Sequence, residues 1–323
     1  MKLSQRIAAL AVFAGAGLSA TLMAQAYPVK PIRFVVASQP GGIADLTPRL
    51  LAPQLQEGLG QPIVIENRPG GGIVSGGELV AKAAPDGYTL LSATPQVAIV
   101  QSMVKELSFD PRRDLAPVSL IGIIPNVLLV GTDRPQKTLG ELVTFARANP
   151  GKLNYSSTGA GTSVHLAAEL FKHVAGVKVV HVPFKGAAAA MTAVISGNVD
   201  MVIDTLSSSV NYIRSGKLRP LATFAAQRAT TIPDVPTMIE SGYKELEMNA
   251  WGGVVTTGKT PREIVARIDS EIGKALAHAP TAASYGKVGV TVRYQDANEF
   301  GKFWDAEIAR YALAIKVSGA TKD

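Results

Sequence analysis

Two stretches combine residue types that could do chemistry. They are "ASQPGGIADL", 37–46, and "SSTGAGTSVHLAAEL", 156–170. In each, a β-like run ends, glycines turn the chain (Gly41-Gly42, then Gly159 and Gly161), and an apolar-periodic segment follows. Such a unit presents unpaired amide N–H groups at a helix N-terminus, where the partial positive charge favours an anion. Glycine lets that anion approach the backbone closely. If each of two domains carries one loop, the loops can face each other across a cleft.

Other chemistries fit less well. A dinucleotide loop needs G-x-G-x-x-G, and Val164 stands at the third glycine position. No G-K-[ST] follows either loop, so neither is a P-loop. "GTSVH" lacks the last glycine of a nucleophile elbow. Ser163 and His165, two apart on one helical turn, point in different directions and do not form a nucleophile–base pair alone. The four histidines (165, 173, 181 and 278) have no metal-ligand spacing. His173 and His278 read as ordinary surface residues. His165 either reaches the cleft or packs beside its loop. A third glycine run, "ENRPGGGIVSGGELVAKA", reads as flexible chain before a helix. Beside it, Arg68 could pair with Asp45 or with a ligand carboxylate, the structural pairing being the more ordinary use.

The chain that positions these loops has 323 residues, 47% hydrophobic and 18% charged, enough for two globular domains. Aromatics are 6% and the basic residues are dispersed, which argues against a nucleic-acid surface. The net charge of +7 suits small anions better than a polyanion. With no cysteine, thiol nucleophiles, thiolate metal sites and cysteine lipidation are excluded. Lys2 and Arg6, an apolar stretch and "AQA" at 24–26 read as a signal peptide, 1–26, cleaved after Ala26. Losing those two positive charges takes +7 to +5. A periplasmic product is expected.

Short strand-like runs (32–37, 63–66, 90–93, 153–156, 179–182, 201–203, 218–223) alternate with amphipathic helical segments. That is an α/β pattern with mainly parallel sheets flanked by helices. Thr138 with Glu141, Thr260 with Glu263, and Asp296 with Glu299 read as capping boxes. Phe300, Trp304, Ile308, Tyr311 and Ile315 form a core stripe on the last helix. "APVSLIGIIPNVLLVG", 116–131, has a proline inside an apolar run, which a strand changing sheets would tolerate. Crossovers near Pro125 and in "MNAWGGVVTTG", 248–258, give a discontinuous first lobe, 27–125 plus 250–323, and a second lobe, 126–249.

The ordered motifs "YPVKPIRFVV", "PGGIADLTPRLLA", "LGQPIVIENRPGGG", "VAKAAPDGYTLL", "SSTGAGTSVHLAAELFK", "HVPFKGAAAAM", "SGNVDMVID", "LRPLA" and "IPDVPTMIESG" span almost the whole mature sequence. Together they resemble the Bug-type extracytoplasmic solute-binding receptors of tripartite tricarboxylate transporters. The resemblance implies a two-domain periplasmic-binding-protein clamshell, type II-like, with a small organic carboxylate in the interdomain cleft. It implies delivery to membrane transporter subunits, no catalysis, no cofactor, no metal and no nucleic acid, in a monomer. The rivals are a secreted α/β hydrolase built on Ser163 or His165, and a carboxylate sensor serving a signalling partner. Carried over by position, the ligand site takes the amides of Gly42, Ile43, Gly159, Gly161 and Thr162 and the hydroxyls of Ser38, Thr158 and Thr162. Asp45, His165, Phe184, Lys185, Gly186 and Asp204 complete it, with Asp204 selecting polar or amino groups. Ser38 and Gln39 stand where the family usually has Pro and an aromatic residue, which favours polar or aliphatic ligands.

Overall fold

The computed structural model describes residues 27–69 and 71–319. The expected signal peptide, 1–26, lies outside the described residues. The chain enters through β1 (Ile32–Val36), α1 (Ile43–Leu59), β2 (Ile63–Asn67), α2 (Gly72–Ala81), β3 (Thr89–Ala93), α3 (Gln96–Met103), α4 (Pro111–Asp114) and β4 (Leu115–Ile124). It continues through β5 (Asn126–Gly131), α5 (Leu139–Ala148), β6 (Asn154–Ser157), α6 (Ser163–Ala175), β7 (Val180–Pro183), α7 (Ala187–Ile195), β8 (Met201–Thr205), α8 (Leu206–Arg214) and β9 (Leu218–Thr223). It ends with β10 (Ala250–Thr257), α9 (Arg262–Ala277), α10 (Ala279–Lys287), β11 (Thr291–Gln295) and α11 (Ala297–Ser318).

Two sheets result, ordered β11-β4-β10-β3-β1-β2 and β7-β6-β8-β5-β9. Both are mixed. The parallel pairing expected from the alternating pattern is confined to β3-β1-β2 and β7-β6-β8, the halves that carry the glycine loops. β10 and β5 run antiparallel to their neighbours, because each enters its sheet from the other lobe instead of through a helix on its own. Pro125 sits between β4 and β5, outside both ladders, where its missing N–H costs nothing.

The crossings are tied together. Asn126, fully buried, donates from Nδ2 to the Met248 carbonyl at 2.8 Å, and Phe224 N–H donates to the Asn126 carbonyl at 2.8 Å. A single apolar cluster runs through both lobes, joining Leu91, Leu128, Phe171 and Phe300. α11 makes this possible, since it packs on α3 of one lobe and α6 of the other. Its Phe300, Trp304 and Tyr311 are buried, while Ile308 and Ile315 pack at the edge. Each large buried side chain stabilises by about 1.5–3 kcal/mol relative to exposure.

Two local expectations fail. Thr260 does not cap α9; its hydroxyl meets that of Thr256 and the helix starts behind Pro261 without a side-chain cap. The glycines at 76 and 77 are not flexible chain but lie buried inside α2. A Cβ on Gly76 would come 2.6 Å from Ala37 Cβ, and one on Gly77 2.5 Å from Phe109 Cζ, so these positions stay small for close packing.

Candidate ligand-binding site

In the first sheet β1 connects to β2 on one side and β3 lies on the other, so the connection reverses between β1 and β3. In the second it reverses between β6 and β8. Ligands in open α/β sheets bind at such switch points, outside the carboxyl ends of the strands. The loops leaving these ends are 37–42 and 94–95 in one lobe and 158–162 and the β8–α8 junction in the other. Both glycine loops therefore stand at switch points. Met103, the last residue of α3, brings them into register: a Cβ on Gly161 would lie 2.7 Å from Met103 Cε. The helix that leaves the first switch point ends against the loop of the second. On another face of the interlobe boundary, Gly289 abuts the start of α8, where a Cβ would lie 3.0 Å from the Ser207 amide nitrogen.

In the first loop Asp45 is 2% exposed and turned inward. Its Oδ2 accepts from Gly41 N–H at 2.9 Å; its Oδ1 accepts from Arg49 Nε and Asn67 Nδ2, each at 2.9 Å. Burial pulls this carboxyl upward, but the bonds from Arg49, Gly41 and Asn67 outweigh it and hold it below the ordinary range. Asp45 thus holds the loop, with both of its oxygens engaged within it. Arg68 pairs with Glu66, not Asp45. The amides of Gly42, Ile43 and Ala44 have no acceptor among the described residues, and Gly42 caps α1 with no side chain. Ser38 is half-buried; its hydroxyl meets only the Gln39 carbonyl, at 3.2 Å.

The second loop uses its glycine amides internally, unlike the expectation. Gly159 N–H donates to Ser157 Oγ at 3.2 Å, Gly161 N–H to His165 Nδ1 at 3.1 Å, and Thr162 N–H to the Gly159 carbonyl at 3.4 Å. The hydroxyls of Thr158 and Thr162 meet at 3.3 Å, and Thr162 caps α6 by accepting from His165 N–H. The amides left without an acceptor among the described residues are those of Thr158, Ala160, Ser163 and Val164. His165 is buried beneath the loop. Its ring stacks on His181 with centroids 4.3 Å apart, and His181 stacks on Tyr155 at 4.8 Å. His181 Nε2 lies 2.7 Å from Ser157 Oγ. That spacing suits a nucleophile and its base, but Ser157 is fully buried and its oxygen already receives Gly159 N–H. Phe184 N–H donates to the Ser157 carbonyl, and the Phe184 ring packs on the core, while Lys185 is exposed and Gly186 caps α7.

Asp204, the next-to-last residue of β8, is 3% exposed. Its Oδ1 accepts from Thr205 N–H at 2.6 Å and Ser208 Oγ at 2.7 Å. No donor among the described residues reaches Oδ2. Burial pushes this carboxyl up to about 6 against those bonds. Ser92, near the end of β3, is likewise buried with an unpartnered hydroxyl. Ser92 and His181 carry no signal in the sequence: each is a lone residue on a strand, placed only by sheet order. A 710 Å³ cavity beside Arg262, Asp269 and Asp296 is unrelated to this site. It opens near Gly258, at the far end of β10 from Gly253, which pairs with Ala93 beside the first switch point. Among the described residues no His/Asp/Glu cluster could hold a metal, and no helix is long and apolar enough to cross a membrane.

Residues 47–319 match the model of the tripartite tricarboxylate transporter family receptor. The chain belongs to this family. The receptor is 33% identical to protein BugT of Bordetella pertussis over 323 residues, 99% of each chain. Solved receptors share its fold. Rpa4515 of R. palustris, determined with adipate, has a TM-score of 0.82 at 31% identity, covering 91% of this chain and 99% of that one. MatC of Rhodopseudomonas palustris, with bound malate, has a TM-score of 0.77 at 29% identity, covering 90% and 100%. These likenesses make the receptor an extracytoplasmic binding protein with a two-lobe α/β fold, and agree with the resemblance read from its motifs.

Proposed function

We propose that this receptor captures a small organic carboxylate between the loops at 38–44 and 158–164 and presents it to the membrane subunits of its transporter. The observation that carries the reading is the set of amides without an acceptor at two switch points, Gly42, Ile43 and Ala44 against Thr158, Ala160, Ser163 and Val164. Each cluster begins a helix, so dipole and N–H groups favour the same anionic group. The adipate and malate bound by two related receptors fit that chemistry. Asp204 Oδ2 is the acceptor for a hydroxyl or amino group on the ligand, since a buried carboxylate oxygen without a donor is costly. The lobes are residues 27–125 plus 250–323 and residues 126–249, moving about the crossings at Pro125 and Asn249. The mature protein starts at Tyr27 and acts as a monomer in the periplasm.

A thermal-shift screen of residues 27–323 against mono- and dicarboxylates tests this. A ligand at 100 times its Kd adds about 2.7 kcal/mol of stability, and its methyl ester loses most of the shift. Asp204→Asn changes the ranking of hydroxy- and amino-substituted ligands against unsubstituted ones. Stabilisation by neutral sugars or peptides alone would overturn the carboxylate assignment, and ester turnover lost on Ser163→Ala would replace it with the hydrolase.

A further inference from the structure

The two glycine amides that the second loop spends internally end on the same buried layer. Gly161 N–H meets His165 Nδ1 directly. Gly159 N–H meets Ser157 Oγ, which is backed at 2.7 Å by His181 Nε2. The two rings are stacked, so neither moves alone. With Nδ1 accepting, the His165 proton sits on Nε2, which faces Glu169 at 4.0 Å. Glu169 is itself engaged by Lys172 at 2.7 and 2.8 Å and by the Tyr155 hydroxyl.

We propose that His165 and His181 are the positioning residues of the ligand loop: as neutral rings they pin the amides of Gly161 and Gly159, and so fix the directions of the Thr158 and Ala160 amides that meet the carboxylate. This rests on the carboxylate-receptor reading. A second proton on His165 would put N–H against the Gly161 N–H and break the pin. The charged and titratable groups around the pair are Glu169 and Lys172 on α6 and Tyr155 on β6. Glu169 favours protonation of the rings and Lys172 opposes it. For His165 burial prevails and lowers the ring's basicity. For His181, burial with the neighbouring His165 takes it to about 4. Rings lowered in the folded state contribute their stability in full above the unfolded histidine value of about 6.5 and lose it as pH falls toward the folded value. As pH falls below the unfolded histidine value toward the folded value of His165, the Gly161 pin is lost and affinity falls with it.

The first measurement needs no ligand. In ¹⁵N-labelled protein near neutral pH, His165 Nδ1 should appear as an unprotonated ring nitrogen coupled to the Gly161 amide, and both signals should move together on acidification. The second uses malate and adipate as probes. His165→Leu removes the acceptor and should weaken binding about tenfold, as expected for a lost hydrogen bond of about 1–1.5 kcal/mol. His165→Asn offers an acceptor that does not titrate, so it should recover most of that loss. The ratio of wild-type to His165→Asn affinity should fall as pH falls, a ratio from which the ligand's own titration cancels. Equal losses in the two variants, a pH-independent ratio, or a protonated Nδ1 in the ligand-free protein at neutral pH would each overturn the proposal. If neither probe binds the wild type, the nitrogen and amide signals still decide it, and only the carboxylate reading suffers.

Discussion

In the first lobe the glycine turn is tied down by Asp45, whose two oxygens take Gly41 N–H, Arg49 and Asn67. In the second the same task falls to His165 and Ser157, with no charged group among the described residues in direct contact with the loop amides. The topology is shared, the helix follows in the same way, and the chemistry of the tether differs. A carboxylate under a helix N-terminus is favoured by the dipole and strengthened by charge-assisted bonds. Because its folded value is depressed, its contribution is present above the unfolded carboxylate value of about 3.9 and is lost only as pH falls below that. Neutral rings give a tether that fails at milder acidity. One tether is a charge and the other a pair of neutral rings, whose contribution begins to fall at a higher pH than that of the carboxylate.

The largest test of this contrast removes the charged tether. Asp45→Ala should cost about 2–3 kcal/mol, since it removes a buried carboxylate and the three bonds it accepts, although the exposed Gly41 amide and half-exposed Arg49 can rehydrate. Urea unfolding measures it, and a loss below about 0.5 kcal/mol would mean that the first loop needs no tether. Next, Gly161→Ala should cost about 1–2 kcal/mol: its φ of +74° is the left-handed region, and the new methyl meets Met103. Gly42→Ala, at φ −83° with nothing within 4 Å, is the control and should be nearly neutral. Equal effects at the two positions would erase the difference between the loops. The smallest effect is Gly42→Ser, which supplies the side-chain cap α1 lacks and should add a few tenths of a kcal/mol. Its hydroxyl takes an amide from the ligand, so calorimetry should find weaker binding in a more stable protein; tighter binding would place the ligand elsewhere.

The elements were readable where one residue's job is local. Thr138 accepts from Glu141 N–H and Asp296 from two amides, as their capping patterns imply. Pro125 marked the crossing because a proline is tolerated there and not within a central ladder. The glycine loops were readable as helix-starting turns for the same reason. Which of their amides stay available was not readable, because that depends on what lies beneath the loop. His165 and His181 are 16 positions apart, on α6 and β7, and only packing stacks them. Gly76 and Gly77 misled because a glycine kept small for a neighbouring side chain looks, in sequence, like one kept for flexibility.

The place of β10 in the first sheet also governs the order in which the molecule can assemble as its chain is made. All five strands of the second sheet lie between residues 126 and 223, so that sheet can close as soon as those residues exist. β4 comes earlier, yet its sheet neighbours among the described residues are β10 and β11, which start at residues 250 and 291. Until then a long apolar strand, Leu115–Ile124, stands with both edges unpaired. The lobe that begins the chain is the last to finish, and its waiting strand is the segment a chaperone would need to cover.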